Sequence, residues 1–226
     1  VAPAAGKTSK RRRKFFDICC GKESLLGKLA PDDCEVIRIT EQEDFTKDET
    51  ANRVVKGITS PDDTAWGSLP CVGGSSFQRI NILKGAIAVA RIKGHWRLYR
   101  RLWAQFEKVI AQVVKVGALL CWEWPLQCAY WLDRRVHKII NKYLLLRVRV
   151  DGCMYDLRAK RKGVEGKPMH KSWIICTNSP IVASVLERKC DRSHEHVHVE
   201  STVAKETENY TIPLVQQIHA AIAKAI

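Results

Sequence analysis

The apolar positions of this chain switch between two periods from Phe15 onward, and the switches mark its elements. The run "KFFDIC" is short and apolar, and "CEVIRIT" at 34–40 is apolar and β-branched, so both are expected as strands. Between them, a turn at Gly21 and Ser24 suit entry into a short helix through "KESLLGKL". Residues 47–58 read as a helix, and "DTAWGSLP" at 63–70 as a strand that ends at Pro70. A long helical stretch follows over 79–116, with a break or bend expected near Gly94. It places Trp96, Leu98, Leu102, Phe106, Val109, Val113 and Val116 largely on one side, sets arginines on the other, and stops at Gly117. "ALLCWEWP" at 118–125 is expected as a buried strand. A helix over 132–143, strands over 144–150 and 172–177 and a last helix over 212–225 complete the pattern, without internal repeats.

Strands separated by helices imply an α/β fold whose sheet is mainly parallel and covered by helices on both faces. The 226 residues suit one domain, 15–226, behind a flexible basic arm, 1–14, of sequence "VAPAAGKTSKRRRK". In such sheets ligands sit beyond the carboxyl ends of the strands. The pattern places Asp17 to Gly21, Glu41, Pro70–Cys71 and Glu123 at those ends.

Charge narrows the choice of partner. A net charge of +14 attracts phosphate polyanions, acidic proteins or anionic lipid, and nucleic acid is the commonest of these; charge serving only solubility or assembly is the plain alternative. The cluster Lys10–Lys14 suits nuclear import or phosphate binding, or is a solvated run. Nine cysteines scattered through apolar segments lack the spacing of a secreted disulfide scaffold, which points to reduced thiols and an intracellular, optionally nuclear, location. No apolar run reaches the roughly 18 residues of a membrane span, and the basic start has no signal-peptide core behind it, so no membrane partner is expected. Val1 in place of methionine suggests a processed chain or a piece of a longer polyprotein.

Four segments together resemble the cytosine-5 DNA methyltransferases. "FFDICCGKESLLG" resembles the loop after their first strand that holds the methionine part of S-adenosylmethionine. Glu41 in "IRITEQEDF" stands where the family has an acidic residue for the cofactor ribose, with Asp44 as a competitor. "SLPCVGGSSFQ" resembles the family's Pro-Cys loop and is the most specific of the four. "CWEWP" puts Glu123 at the family's strand-end glutamate. Later segments, "VDGCMY", "KPMHKSWIICTN", "CDRSHEH" and "YTIPLVQQIHAAI", are similar to methyltransferase-like domains of retroelement polyproteins. The resemblance implies a Rossmann-like class I methyltransferase sandwich that binds S-adenosyl-L-methionine. Phe16, Asp17, Cys19, Gly21, Ser24, Glu41 and Pro70 would be its cofactor contacts, and Cys71 and Glu123 its catalytic pair.

The chain also departs from that family. The third strand–helix unit is missing after Glu41, and no target-recognition domain fits after residue 150, so target choice would have to come from loops, from a partner protein, or not at all. The family's Gln-x-Arg-x-Arg stretch is not visible either; Arg158, Arg161, Lys167 or Lys171 are the substitute cations. A descendant that kept the scaffold and lost the activity is therefore a standing alternative, as a nucleic-acid-binding module or a structural subunit.

The chemistry follows from cytosine itself, whose C5 is a poor nucleophile until a thiolate adds at C6. Cysteine suits this because its thiolate is soft and only moderately basic. Pro70 would stiffen the loop and the glycines would let its backbone approach base and cofactor. Glu123, kept protonated or proton-sharing by burial beside Trp122 and Trp124, would bond the N3 and amino edge. A base in a duplex has to be flipped out, whereas single-stranded DNA or RNA avoids that cost. Arg11, Arg12, Arg13, Arg97, Arg100, Arg101 and Lys171 are the candidate phosphate contacts, and Trp96, Tyr99 and Trp103 the candidate stacking platforms, although aromatics at helical spacing more often face a core.

"CDRSHEHVHVE" supplies Cys190, His194, His196 and His198, whose histidines would share one face if the segment were a strand. The spacing fits no standard zinc finger. No metal is expected, and the histidines are read as surface or hydrogen-bonded groups.

Overall fold

The computed structural model describes residues 11–197 and 207–226. In chain order its elements are β1 (Arg13–Ile18), α1 (Leu25–Lys28), β2 (Cys34–Ile39), α2 (Asp48–Gly57), β3 (Thr64–Gly67), α3 (Gln78–Asn81), α4 (Ala86–Val116), β4 (Leu119–Pro125), α5 (Arg134–Lys142), β5 (Leu146–Asp151), β6 (Ser172–Thr177), α6 (Pro180–Leu186) and α7 (Ile212–Ala225). The strands form one sheet in the order β2-β1-β3-β4-β6-β5. The pairs β1–β2, β1–β3 and β3–β4 are parallel, whereas β6 runs antiparallel to both β4 and β5, so the sheet is mixed rather than mainly parallel throughout.

The period-2 alternation of the strands sorts their side chains onto two faces. Phe16, Ile18, Ala65, Leu120, Trp122 and Trp124 join one core with residues of α2, α4 and α5. Phe15, Trp66, Leu119, Cys121, Val150, Trp173 and Ile175 join the other with residues of α1, α6 and α7. The fold is thus a three-layer α/β sandwich. The first core is dominated by rings: Tyr99, Trp103, Phe106, Trp122, Trp124, Tyr130 and Trp131 pack mostly edge-on or tilted, with Tyr99 and Tyr130 stacked at 3.7 Å. Each such ring removes on the order of 150–250 Å² from water, which makes this core the main apolar anchor of α4 on the sheet.

Several local expectations change. The long helix is not interrupted at Gly94; α4 runs through it, and the break comes at Gly85, whose φ of +99° is open to glycine and not to bulkier residues. Gly117, at φ +72°, closes α4 as expected. Of the predicted apolar stripe, Leu98 is 40% exposed. Its place in the core is taken by Tyr99 and Trp103. Cys19, at φ +59°, takes the left-handed position directly after β1, and the expected turn at Gly21 follows, closed by the Ser24 amide on the Gly21 carbonyl at 3.0 Å. α6 was not anticipated, though "NSPIVASVL" carries the signal for it: Ser179 accepts from the Val182 amide at the N-cap and Pro180 opens the helix. Arg13 and Lys14, expected in the arm, begin β1, and residues 1–10 lie outside the described residues.

Candidate active site

Chain order places β2 to one side of β1 and β3 to the other, so the strand order reverses between β1 and β3. A crevice at the carboxyl ends of such strands is where open α/β sheets bind ligands. Here it has a volume of about 480 Å³, with walls that include Cys19, Gly21, Glu41, Asp44, Pro70 and Leu102. Four of the seven residues expected to meet a cofactor, Cys19, Gly21, Glu41 and Pro70, line it, as does the competitor Asp44. Phe16, Asp17 and Ser24 are not among its walls. Phe16 points into the α2–α4 core beside Gly57. Asp17 is buried and takes a 2.6 Å hydrogen bond from the Ser24 hydroxyl, so Ser24 holds Asp17 instead of capping α1. The second Asp17 oxygen, Oδ1, is buried without a partner, and burial raises its carboxyl pKa against the pull of Ser24.

Beyond β3 the chain passes from Pro70 on the wall of this crevice, through Cys71, to Gly73 on the wall of a second crevice of about 760 Å³. The second one is walled by Gly74, Ser75, Gln78, Arg79, Trp96 and Trp131 among others. The loop is fixed from below, where the Trp124 indole donates to the Leu69 carbonyl at 3.0 Å. Gly73 and Gly74 serve packing and not the approach of a ligand. A Cβ on Gly73 would lie 2.5 Å from the Tyr130 hydroxyl, and one on Gly74 2.6 Å from the Cys128 sulfur. The half-buried Cys71 lies between these two stretches of wall along the chain; it is on the wall of neither crevice and packs against the core on the α4 side.

Cys71 and Glu123 come from neighbouring strands and feel each other electrostatically. Burial, reinforced by the negative charge of Glu123 and opposed by the Lys171 ammonium, pushes the Cys71 thiol up to about 11. Burial pushes Glu123 up to about 7, against a hydrogen bond from Tyr210 and the charge of Lys171. Its Oε2 is buried and has no partner. The desolvation does not come from the adjacent tryptophans in sequence, because the pleat sends Trp122 and Trp124 to the α4 face. Glu123 faces the opposite side, where Tyr210 stands against Trp66 and Trp173.

Lys171 is the one candidate phosphate contact that reaches this pair, and it also lies over the Trp173 ring at 5.9 Å. Arg11, Arg12 and Arg13 stand at the opposite end of the sheet. Arg11 pairs with Asp63, Arg12 donates to the Cys34 carbonyl, and Arg13, only 7% exposed, pairs with Asp33. Arg97, Arg100 and Arg101 are exposed on α4, Arg101 bonding the Thr46 hydroxyl at 2.7 Å on the rim of the first crevice. Tyr99 and Trp103 are buried and have no face for a base; Trp96 is half-buried and packs edge-on against Tyr99 and Tyr130. Cys190, His194 and His196 gather in a loop, not on a strand, and Cys153 joins them. His198 lies outside the described residues.

Tyr210 was the residue missed at the active site. Only its place in "NYTIPL", just before a capped helix, could have drawn attention, and nothing local points a residue there toward β4. Among the described residues, no helix is long and apolar enough to cross a membrane. No protein-family model, no curated protein sequence and no solved structure matches this chain.

Proposed function

We propose that this chain is an S-adenosylmethionine-binding domain of the cytosine-5 methyltransferase kind, with Cys71 as nucleophile and Glu123 as its acid. The observation that carries the reading is the meeting of Cys71 and Glu123 at the ends of neighbouring strands, within electrostatic reach of each other and of Lys171, next to Pro70 on the wall of the crevice at the reversal of strand order. The first crevice would take the cofactor, with Glu41 or Asp44 accepting from the ribose hydroxyls. The second, with the half-buried Trp96 and with Trp131, Gln78 and Arg79 in its walls, suits a planar base with a phosphate attached. The antiparallel β6 beside β4 and the lack, among the described residues, of a strand outside β2 are compatible with a sandwich without one strand–helix unit.

In this reading the thiol gives up its proton to solvent, with Lys171 favouring the thiolate. Sulfur then adds at C6, and Glu123, which holds a proton near neutral pH, donates to N3 as charge enters the ring. The cofactor would supply the methyl group to C5, after which loss of the C5 proton to solvent would expel the Cys71 thiolate from C6 and restore the ring. The high resting position of the Cys71 thiol favours a second reading, in which the scaffold binds nucleic acid without turnover.

Calorimetry with S-adenosylmethionine, followed by transfer of labelled methyl to cytosine-containing DNA and RNA, separates these. Cofactor heat together with transfer that Cys71→Ser abolishes is the expected result. Heat without transfer leaves the inactive module. Absence of any cofactor heat removes the reading.

A further inference from the structure

A second constellation of reactive side chains lies apart from the Cys71–Glu123 pair. Cys153 sits in the 3-10 turn Gly152–Tyr155 that follows β5. Cys190, His194 and His196 belong to the loop after α6. The ligand atoms of all four lie within 4.8 Å of one another, and each residue is partly buried. His194 Nε2 is 3.7 Å and His196 Nε2 3.5 Å from the Cys190 sulfur. A tetrahedral zinc ion with bonds of about 2.3 Å to sulfur and about 2.05 Å to nitrogen sets its sulfur and nitrogen ligands about 3.6 Å apart. The observed separations bracket that value.

Hydrogen bonding alone does not account for the cluster. The Cys190 sulfur meets two imidazoles and also accepts the Arg192 amide at 3.3 Å, whereas a thiol has one proton and is a weak partner in either role. A thiolate bound to a cation and supported by a backbone N–H is the ordinary solution. Two thiolates and two neutral imidazoles in tetrahedral array select zinc among the common divalent ions, and four protein ligands leave no open position for catalysis.

We propose that Cys153, Cys190, His194 and His196 form a structural zinc site. It ties together three segments of the chain. The Cys190 amide donates to Asp151 at the end of β5, at 2.8 Å. Val197, one residue past the last ligand, donates to the Pro168 carbonyl at 2.8 Å and accepts from the His170 amide at 3.1 Å. Gly152, next to Cys153, donates to the Lys171 carbonyl at 2.7 Å. The clamp thereby fixes the backbone of the cation that faces Cys71 and Glu123, although zinc binding does not depend on what those residues do.

The test is metal content and spectroscopy on the whole chain, with zinc and cobalt ions as probes. Purified protein is expected to retain about one zinc per chain after dialysis. Its cobalt-substituted form should show intense tetrahedral bands with a thiolate charge-transfer transition. Cys153→Ser and His194→Ala should weaken binding by at least about tenfold, while Cys34→Ser, far from the cluster, should not. Should those variants fail to fold, alkylation of the unsubstituted chain decides. Zinc should shield Cys153 and Cys190 from a maleimide until a chelator is added. Absence of stoichiometric metal, a cobalt spectrum without thiolate character, Cys153 and Cys190 alkylated equally fast with zinc and with chelator, or a disulfide between Cys153 and Cys190 overturns the proposal.

Discussion

The two ends of the sheet hold their buried carboxylates in different ways. At the amino end, Asp63 is buried and fully used: it accepts from the amides of Lys14, Thr59 and Ser60 and from the Arg11 guanidinium. Arg13 and Asp33 pair beside it. At the carboxyl end, buried polar groups are left over. Glu123 Oε2 and Asp17 Oδ1 lack partners, Cys19 holds a left-handed backbone conformation, and a crevice opens between the ends of β1, β2 and β3. An unpaired buried oxygen costs about 1–3 kcal/mol, so a fold keeps one only where something else offsets the loss. The contrast shows that charge by itself locates nothing: the densest basic run of the chain serves the saturated end, and a single lysine serves the unsaturated one.

That contrast can be broken most sharply at Cys71. Cys71→Ser should lower methyl transfer by at least about a thousandfold while leaving the melting temperature and cofactor heat near those of the unsubstituted chain. A comparable loss of both activity and stability would erase the distinction between the ends. The mirror experiment is Asp63→Ala, which strands three amides and a guanidinium and should cost about 3 kcal/mol in denaturant unfolding without changing cofactor affinity at temperatures where the chain stays folded.

Glu123→Gln sharpens the comparison through pH. With its pKa raised from the ordinary 4.5 to about 7, the carboxyl stabilises the fold only while protonated. That contribution is whole below the ordinary value and is lost as pH rises through about 7. Relative to the unsubstituted chain, the glutamine variant should therefore gain about 1–2 kcal/mol on going from acidic to mildly alkaline solution, allowing for solvent at the open site. Melts that run parallel at both pH values would refute the buried-acid account. The smallest effect concerns the basic run. Arg11→Ala should cost less than about 1 kcal/mol of stability and leave nucleic-acid affinity unchanged, whereas removing Arg97 and Arg100 together should reduce the salt dependence of binding by about two ions. The reverse outcome would move the nucleic-acid surface to the other end of the molecule.

Much of this architecture was legible before any coordinates. The strands from β1 to β6 fall within a few residues of their expected places because short apolar and β-branched runs bounded by turn residues are local signals. The loop "LPCVGGSS" stood out by its resemblance to the Pro-Cys loop of the cytosine-5 methyltransferases. What was not legible depended on which face a residue meets. Trp122 and Trp124 flank Glu123 along the chain and yet leave it, since neighbours on a strand point to opposite sides. Tyr99 and Trp103 read as candidate stacking platforms with the core as the commoner place at that spacing, and packing against β4 decided for the core. Cys153 carries no motif and gains meaning only beside Cys190, 37 positions later in the sequence.

The sequence by itself determined the alternation of strands and helices, the position of the Pro-Cys loop after the third strand, and the charge of the whole. Those features depend on residues close together along the chain, where turn chemistry and periodicity act. Only the tertiary structure decided that β6 returns antiparallel, that Tyr210 and Lys171 reach Glu123, that Arg11 and Arg13 are consumed in ion pairs and Arg12 on a backbone carbonyl, and that two cysteines and two histidines meet. Each of these is a contact between segments far apart in the chain, selected by how the helices cover the sheet, and no local preference of the residues involved encodes it.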